Sequence, residues 1–128
     1  ACALPVCVQR ADGAPVAMAG LWEARTDEDG SALRTCTILT VEANADLAPI
    51  HHRMPALLPP GQWAEWLDPL TRDASFLESL LVPAPDGLLE LHPVDPRVND
   101  ARRKGAELTV PMDGSPQASD VAAQEALW

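Results

Sequence analysis

Apolar positions along this chain come in short runs separated by Gly, Pro and acidic residues. Residues 3–9 (ALPVCVQ) and 15–22 (PVAMAGLW) are of strand length. They flank Ala11-Asp12-Gly13, a turn signal because Asp-Gly supports positive φ, and together they predict a β-hairpin. A second turn, residues 26–30 (TDEDG), precedes residues 33–41 (LRTCTILTV), whose alternation and β-branched content predict a strand. Residues 43–49 suit one or two helical turns stopped by Pro49, and residues 55–58 (PALL) a short strand. Trp63, Trp66 and Leu67 fall at i, i+3, i+4 spacing and predict a helix over 61–67 with all three on one face. Asp73 is placed to cap a helix over 74–82. Beyond the loop at 83–87, residues 88–94 read as a strand ending at Pro93, 106–110 as a last short strand, and 118–127 as a terminal helix after a polar tail. Strands come first, helices mix in later, and no regular βαβ alternation is present. This predicts an α+β fold with a mainly antiparallel β-sheet core and a few short helices.

Composition narrows the picture. At 128 residues the chain suits one domain with a modest core, and with four Trp, one Phe and no Tyr that core must be filled by Ala, Leu and Val. No apolar run reaches the length of a membrane helix and no signal peptide is visible, so a cytoplasmic protein is expected. Cys2, Cys7 and Cys36 form no CxxC pair, and Cys7 and Cys36 lie in strand-like apolar runs that predict buried thiols. Three His without paired Cys or a carboxylate pattern make no zinc set, so no metal and no cofactor are expected. A net charge of −10 argues against phosphate binding over the whole surface. Any nucleic-acid contact must come from a local cluster, with Arg53, Arg97 and Arg102-Arg103-Lys104 as candidates, although such a triplet is ordinarily a solvated loop.

The most suggestive local chemistry is the polar knot Ile50-His51-His52-Arg53-Met54-Pro55 between apolar segments. An imidazole titrating near neutrality can move protons, whereas the ordinary reading of such a knot is a surface turn. Adjacent residues of an extended loop point to opposite sides, so only one His of the pair is expected to face a cleft. His92, before Pro93, reads as structural, and the Trp63/Trp66 pair as core rather than a base-stacking platform. No GxSxG, HExxH or P-loop is present.

Several segments, in order, resemble the SOS response-associated peptidase (SRAP) family. They are RADGAPVAMAGLWE (10–23), RTCTILTVEANADLAPIHHRMPALLPP (34–60), WAEWLDP (63–69) and HPVDPRVNDARRKGAEL (92–108). The resemblance implies an α+β domain acting at abasic sites in single-stranded DNA. In that family an N-terminal Cys condenses through its amine and thiol with the opened sugar aldehyde to give a thiazolidine cross-link, assisted by a Glu, a His and an Asn. Autoproteolytic peptidase character is also implied. Residue by residue, His51 matches the catalytic His, Thr40 matches a position close to the DNA, and His52 stands where the family has Asp. Cys2 is no equivalent of the N-terminal Cys, because Ala1 acylates its amine. The chain therefore reads as the C-terminal part of a larger SRAP protein, with residues 1–110 a partial SRAP domain and 111–128 a tail. A monomer is expected, inactive in cross-linking by itself. The alternatives are a catalytically inactive, phage-related remnant acting as a binding or structural module, and a His-centred hydrolase unrelated to DNA.

Overall fold

A computed structural model describes residues 4–112. Six strands pair as three antiparallel two-stranded ribbons. β1 (Val6–Arg10) pairs with β6 (Leu89–Pro93), β2 (Gly20–Thr26) with β3 (Ala32–Ile38), and β4 (Thr40–Glu42) with β5 (Arg53–Pro55). Two short helices, α1 (Trp63–Leu67) and α2 (Ala74–Ser79), lie between β5 and β6. The α+β, mainly antiparallel class read from the sequence is the class observed. No described helix is long and apolar enough to cross a membrane.

Two of the ribbons, β2–β3 and β4–β5, are joined by a closed ring of backbone hydrogen bonds. The Ala19 N–H donates to the Ala56 carbonyl (2.8 Å), Ala56 N–H to Leu39 (2.9 Å), and Leu39 N–H to Ala19 (2.9 Å). Two of its residues, Ala19 and Ala56, are fully buried. The ring explains why the single strand expected over 33–41 is two. At Leu39 the chain leaves its pairing with β2 and takes up β5, a change of partner that hydrophobic alternation cannot signal. Around the ring, Leu58 and Leu80 form one apolar cluster with half-buried Trp63 and Trp66 packed on it. A second cluster holds Leu47, Met54, Ala84 and Leu89, and Val41 of β4 touches both.

Local turn chemistry was legible, but strand partners were less so. The Asp12-Gly13 turn forms, with Gly13 at φ 71° and its N–H on the Arg10 carbonyl, yet the hairpin expected from it does not. β1 pairs instead with β6, about which the local sequence is silent. Pro15, inside the expected return strand, has no N–H to give a ladder, and pairing is reduced to a single bridge, Met18 with Leu57. The second turn does close a hairpin, β2–β3. Gly30 sits at φ 82° and donates to the Asp27 carbonyl, while the Asp29 side chain accepts from the Ser31 N–H.

Asp73 caps α2 by accepting from the Phe76 N–H at 3.1 Å. Residues 45–50 form hydrogen-bonded turns rather than a helix. Ala106–Thr109 is a 3-10 turn, not the expected strand, because the Thr109 hydroxyl donates to the Ala106 carbonyl and holds the segment curled. Leu67 does not share the buried face of the two Trp residues. Helix α1 ends there, and Leu67 is 76% exposed. Cys7 is half-buried, but Cys36 is exposed, contrary to the buried thiol expected, because β3 has no covered face. The helix expected over 118–127 and most of the tail lie outside the described residues.

Candidate functional site

The polar knot becomes the entry to β5, and three of the residues singled out from the sequence meet there. Register places Thr40 of β4 opposite Pro55, and Glu42 opposite Arg53. The Arg53 guanidinium lies back along β4. Its Nη2 donates to the Thr40 carbonyl (2.5 Å) and Oγ1 (2.9 Å), and its Nε to Oγ1 (3.2 Å). His51 is tied to the same residue, its Nδ1 standing 2.9 Å from the Arg53 N–H and 3.0 Å from the Arg53 carbonyl. A neutral ring accepts from the N–H, which puts the ring proton on Nε2. A protonated ring donates from Nδ1 to the carbonyl. Either way one backbone residue holds the ring, and Nε2 on the far side is the nitrogen suited to exchange a proton with a substrate.

His52 does not point away from His51 as an extended loop would require. The rings stack with centroids 4.5 Å apart and 22° between planes, because the chain bends at His52. His92 has the structural role expected, its Nε2 bonded to the Thr109 carbonyl at 3.0 Å. The two indoles are likewise structural. Trp63 Nε1 donates to the Leu58 carbonyl and Trp66 Nε1 to that of Gly20.

The candidate cations divide into two kinds. Arg97 is bonded to Asp95 (2.6 Å), Arg102 to Asp100 (2.9 Å), Arg10 to Asp12 and Arg25 to Asp27, each acid two residues from its partner. The mutual side-chain hydrogen bond of Arg97 and Asp95 holds the Asp95 carboxyl below its ordinary value and raises the Arg97 guanidinium above its own. Arg53 differs in that its guanidinium rests on a hydroxyl and a carbonyl. Arg97 belongs to the 3-10 turn Pro96–Asn99 beyond β6, not to the β4–β5 junction. Among the described residues no group of three or more His, Cys, Asp or Glu could hold a metal ion. An apolar cleft of 390 Å³, lined by Val16, Leu57, Val82 and Leu88 among others, includes none of His51, Arg53 or Thr40.

What holds the His51 turn in place was not singled out from the sequence. Asn44 is buried, donates from Nδ2 to the carbonyls of Ala84 (3.2 Å) and Pro85 (3.3 Å), and accepts at Oδ1 from Leu47 N–H. The Asp46 carboxylate accepts from the N–H groups of Gly87 (2.9 Å) and Leu89 (3.1 Å), and Asp86 accepts in return from Ala45 N–H (2.8 Å). The loop over 84–89 is thereby clamped to the turn whose Leu47 carbonyl accepts from His51 N–H. In the sequence, Ala-Asn-Ala-Asp reads only as the start of one or two helical turns, since the partners lie about forty residues away.

The clamp predicts a pH dependence. The backbone N–H of Gly87, then that of Leu89, holds the Asp46 carboxyl below its ordinary value. A carboxylate lowered on folding contributes stability that is present above the unfolded carboxylate range and lost as pH falls through the folded value. The Arg–Asp pairs two residues apart can also form in the unfolded chain, so they bear less on this balance. Asp46, whose partners are 41 and 43 residues distant, has them only when folded. Urea unfolding from neutral to strongly acidic pH should show stability falling on acidification, and Asp46→Asn should lower the neutral value and flatten the fall. An unchanged pH profile in Asp46→Asn would contradict the assignment.

Residues 2–101 match the family model described as SOS response associated peptidase (SRAP). "Abasic site processing protein YoaM" of Bacillus subtilis (strain 168) is 36% identical over 105 residues, 82% of this chain and 46% of that protein. "Abasic site processing protein HMCES" of Gallus gallus is 36% identical over 75% of this chain and 29% of its own length. A crystal structure of a Bacteroides thetaiotaomicron protein superposes with a TM-score of 0.75 at 21% identity, over 85% of this chain and 48% of that one. A second, from Bordetella bronchiseptica, gives 0.60 at 31% identity over 72% and 46%. The chain thus spans less than half the length of these relatives.

Proposed function

The chain belongs to the SOS response associated peptidase (SRAP) family, and on that basis we propose that it supplies the histidine side of a site that captures abasic sites in single-stranded DNA. The observation that carries this reading is the junction itself: His51 held through Nδ1 by Arg53, and Arg53 held against Thr40. The ring-opened sugar of an abasic site presents an aldehyde. An N-terminal cysteine of the family type condenses with it through amine and thiol, forming C–N and C–S bonds and releasing water as the thiazolidine closes. Protons must move at the sugar oxygens during ring opening and condensation, and Nε2 of His51 is the group assigned to that transfer. Arg53 faces the phosphate beside the lesion, and Thr40 keeps its guanidinium in place. The names of the YoaM and HMCES relatives, abasic site processing proteins, support the same substrate.

The first test is a denaturing gel. A protein containing this segment within a family-type domain should give a heat-stable shifted band with an abasic oligonucleotide and none with an intact one, and the 128-residue chain alone should give none. A band from the chain alone that disappears in Cys2→Ser would place the nucleophile here. Absence of a band from the larger protein would favour the catalytically inactive binding module. Charge reversal separates the cations. Arg53→Glu should weaken DNA binding and flatten its salt dependence by about one phosphate contact, a slope change of roughly 0.7 for a single strand. Arg97→Glu should do less, because Asp95 already neutralises Arg97. Equal losses in the two variants, or binding indifferent to salt, would argue against this interface.

A further inference from the structure

The β2–β3 hairpin has no core of its own. No residue of either strand is buried. Directly paired residues share a face, so Gly20, Trp22, Ala24 and Thr26 stand with Ile38, Cys36, Arg34 and Ala32 on one side. That side carries one charge, Arg34, whereas the other holds Glu23, Arg25, Thr35 and Thr37 together with Leu21 and Leu33. On the apolar side Trp22 is 72% exposed and Ile38 51%. A two-stranded ribbon with neither face covered is marginal in water, and contiguous exposed apolar side chains mark a surface that is covered in use.

The relatives carry more chain than this one. The Bacteroides structure matches 85% of this chain with only 48% of its own length, and the YoaM relative is matched over 46%. As much chain again accompanies this fold in its relatives. We propose that the Trp22–Cys36–Ile38 face is the seat of that complementary part of the SRAP fold, which buries the hairpin and completes its sheet. This inference rests on family membership and the exposed face, not on the DNA reading, and it can fail while that reading stands. It makes Trp22 the anchor, the largest exposed apolar side chain on the face, flanked by small residues that admit a close-packed layer.

Two measurements test it. In the isolated chain, hydrogen exchange should leave the β2–β3 amides unprotected while those of β4, β5 and the Ala19–Leu39–Ala56 ring are protected. Protection of the hairpin in a monomeric sample would overturn the proposal. The second uses a fusion of this chain to the unmatched part of the YoaM relative, with Cys2 and Cys7 replaced by Ser. Alkylation of Cys36 should slow by about ten-fold or more against the isolated chain, as burial of a thiol behind a closed interface requires. Trp22→Asp in the fusion should restore the fast rate. A fast Cys36 in a fusion that circular dichroism and exchange show to be folded would sink the idea. So would an isolated chain that dimerises with Cys36 protected and is made monomeric by Trp22→Asp, since the occupant would then be a second copy.

Discussion

Replacing His51 with Ala, in a protein carrying this segment within a family-type domain, should slow capture of an abasic oligonucleotide by about 10²–10⁴-fold, the usual contribution of a positioned proton-transfer group. His52→Ala should change the rate little. The difference follows from anchoring. Arg53 offers both an N–H and a carbonyl to Nδ1 of His51, so that ring keeps its place whether neutral or protonated and presents Nε2 in both states. His52 contributes a stacked ring against it, at 4.5 Å between centroids. His52→Asp, which restores the residue expected by family resemblance, should be tolerated. Single-turnover kinetics of the three variants decides the matter. Equal rates for wild type and His51→Ala would remove His51 from the chemistry, and a larger defect in His52→Ala would shift the assignment by one residue.

The largest stability loss is expected at Met54. Its side chain is 1% exposed, packs among Leu47, Ala84 and Leu89, and its sulfur accepts from the Asn44 N–H at 3.3 Å. Truncation to Ala should cost about 2–5 kcal/mol, the range for deleting a buried large side chain. Two effects add here: a cavity opens in the smaller cluster, and a backbone N–H loses its partner at the start of the clamp. Because β5 carries Arg53 and Met54 in adjacent positions, the same substitution should loosen the His51–Arg53 arrangement. Chemical denaturation reads the first effect directly. A loss below about 1 kcal/mol would mean that the cluster closes over the gap.

The sequence made some of this visible and hid the rest for physical reasons. Local chemistry was readable. The Asp27–Gly30 turn, the Asp73 cap and the β6 strand follow from nearby residues alone, and they formed where expected. Partner choice was not readable, because β1 finds β6 across most of the chain and Leu39 changes ribbons within one apolar run. His51, Arg53 and Thr40 could be named from the sequence, but not their mutual hydrogen bonds. The expectation that His51 and His52 diverge failed because the backbone bends there. The pairing of Arg97 and Arg102 with acids two residues away had a signal, the repeated Asp-x-Arg spacing, and that spacing separates them from Arg53. Asn44 and Asp46 had none, since their role exists only once the loop over 84–89 folds onto them.

Amide chemical shifts of the isotope-labelled chain, titrated with an abasic single-stranded oligonucleotide at low salt, test the assignment of the DNA-facing site most directly. The expected result is a set of perturbations centred on Thr40, His51 and Arg53, larger for the abasic than for the intact oligonucleotide and reduced by salt. Perturbations centred instead on residues 95–104, or none at any of these positions, would contradict it.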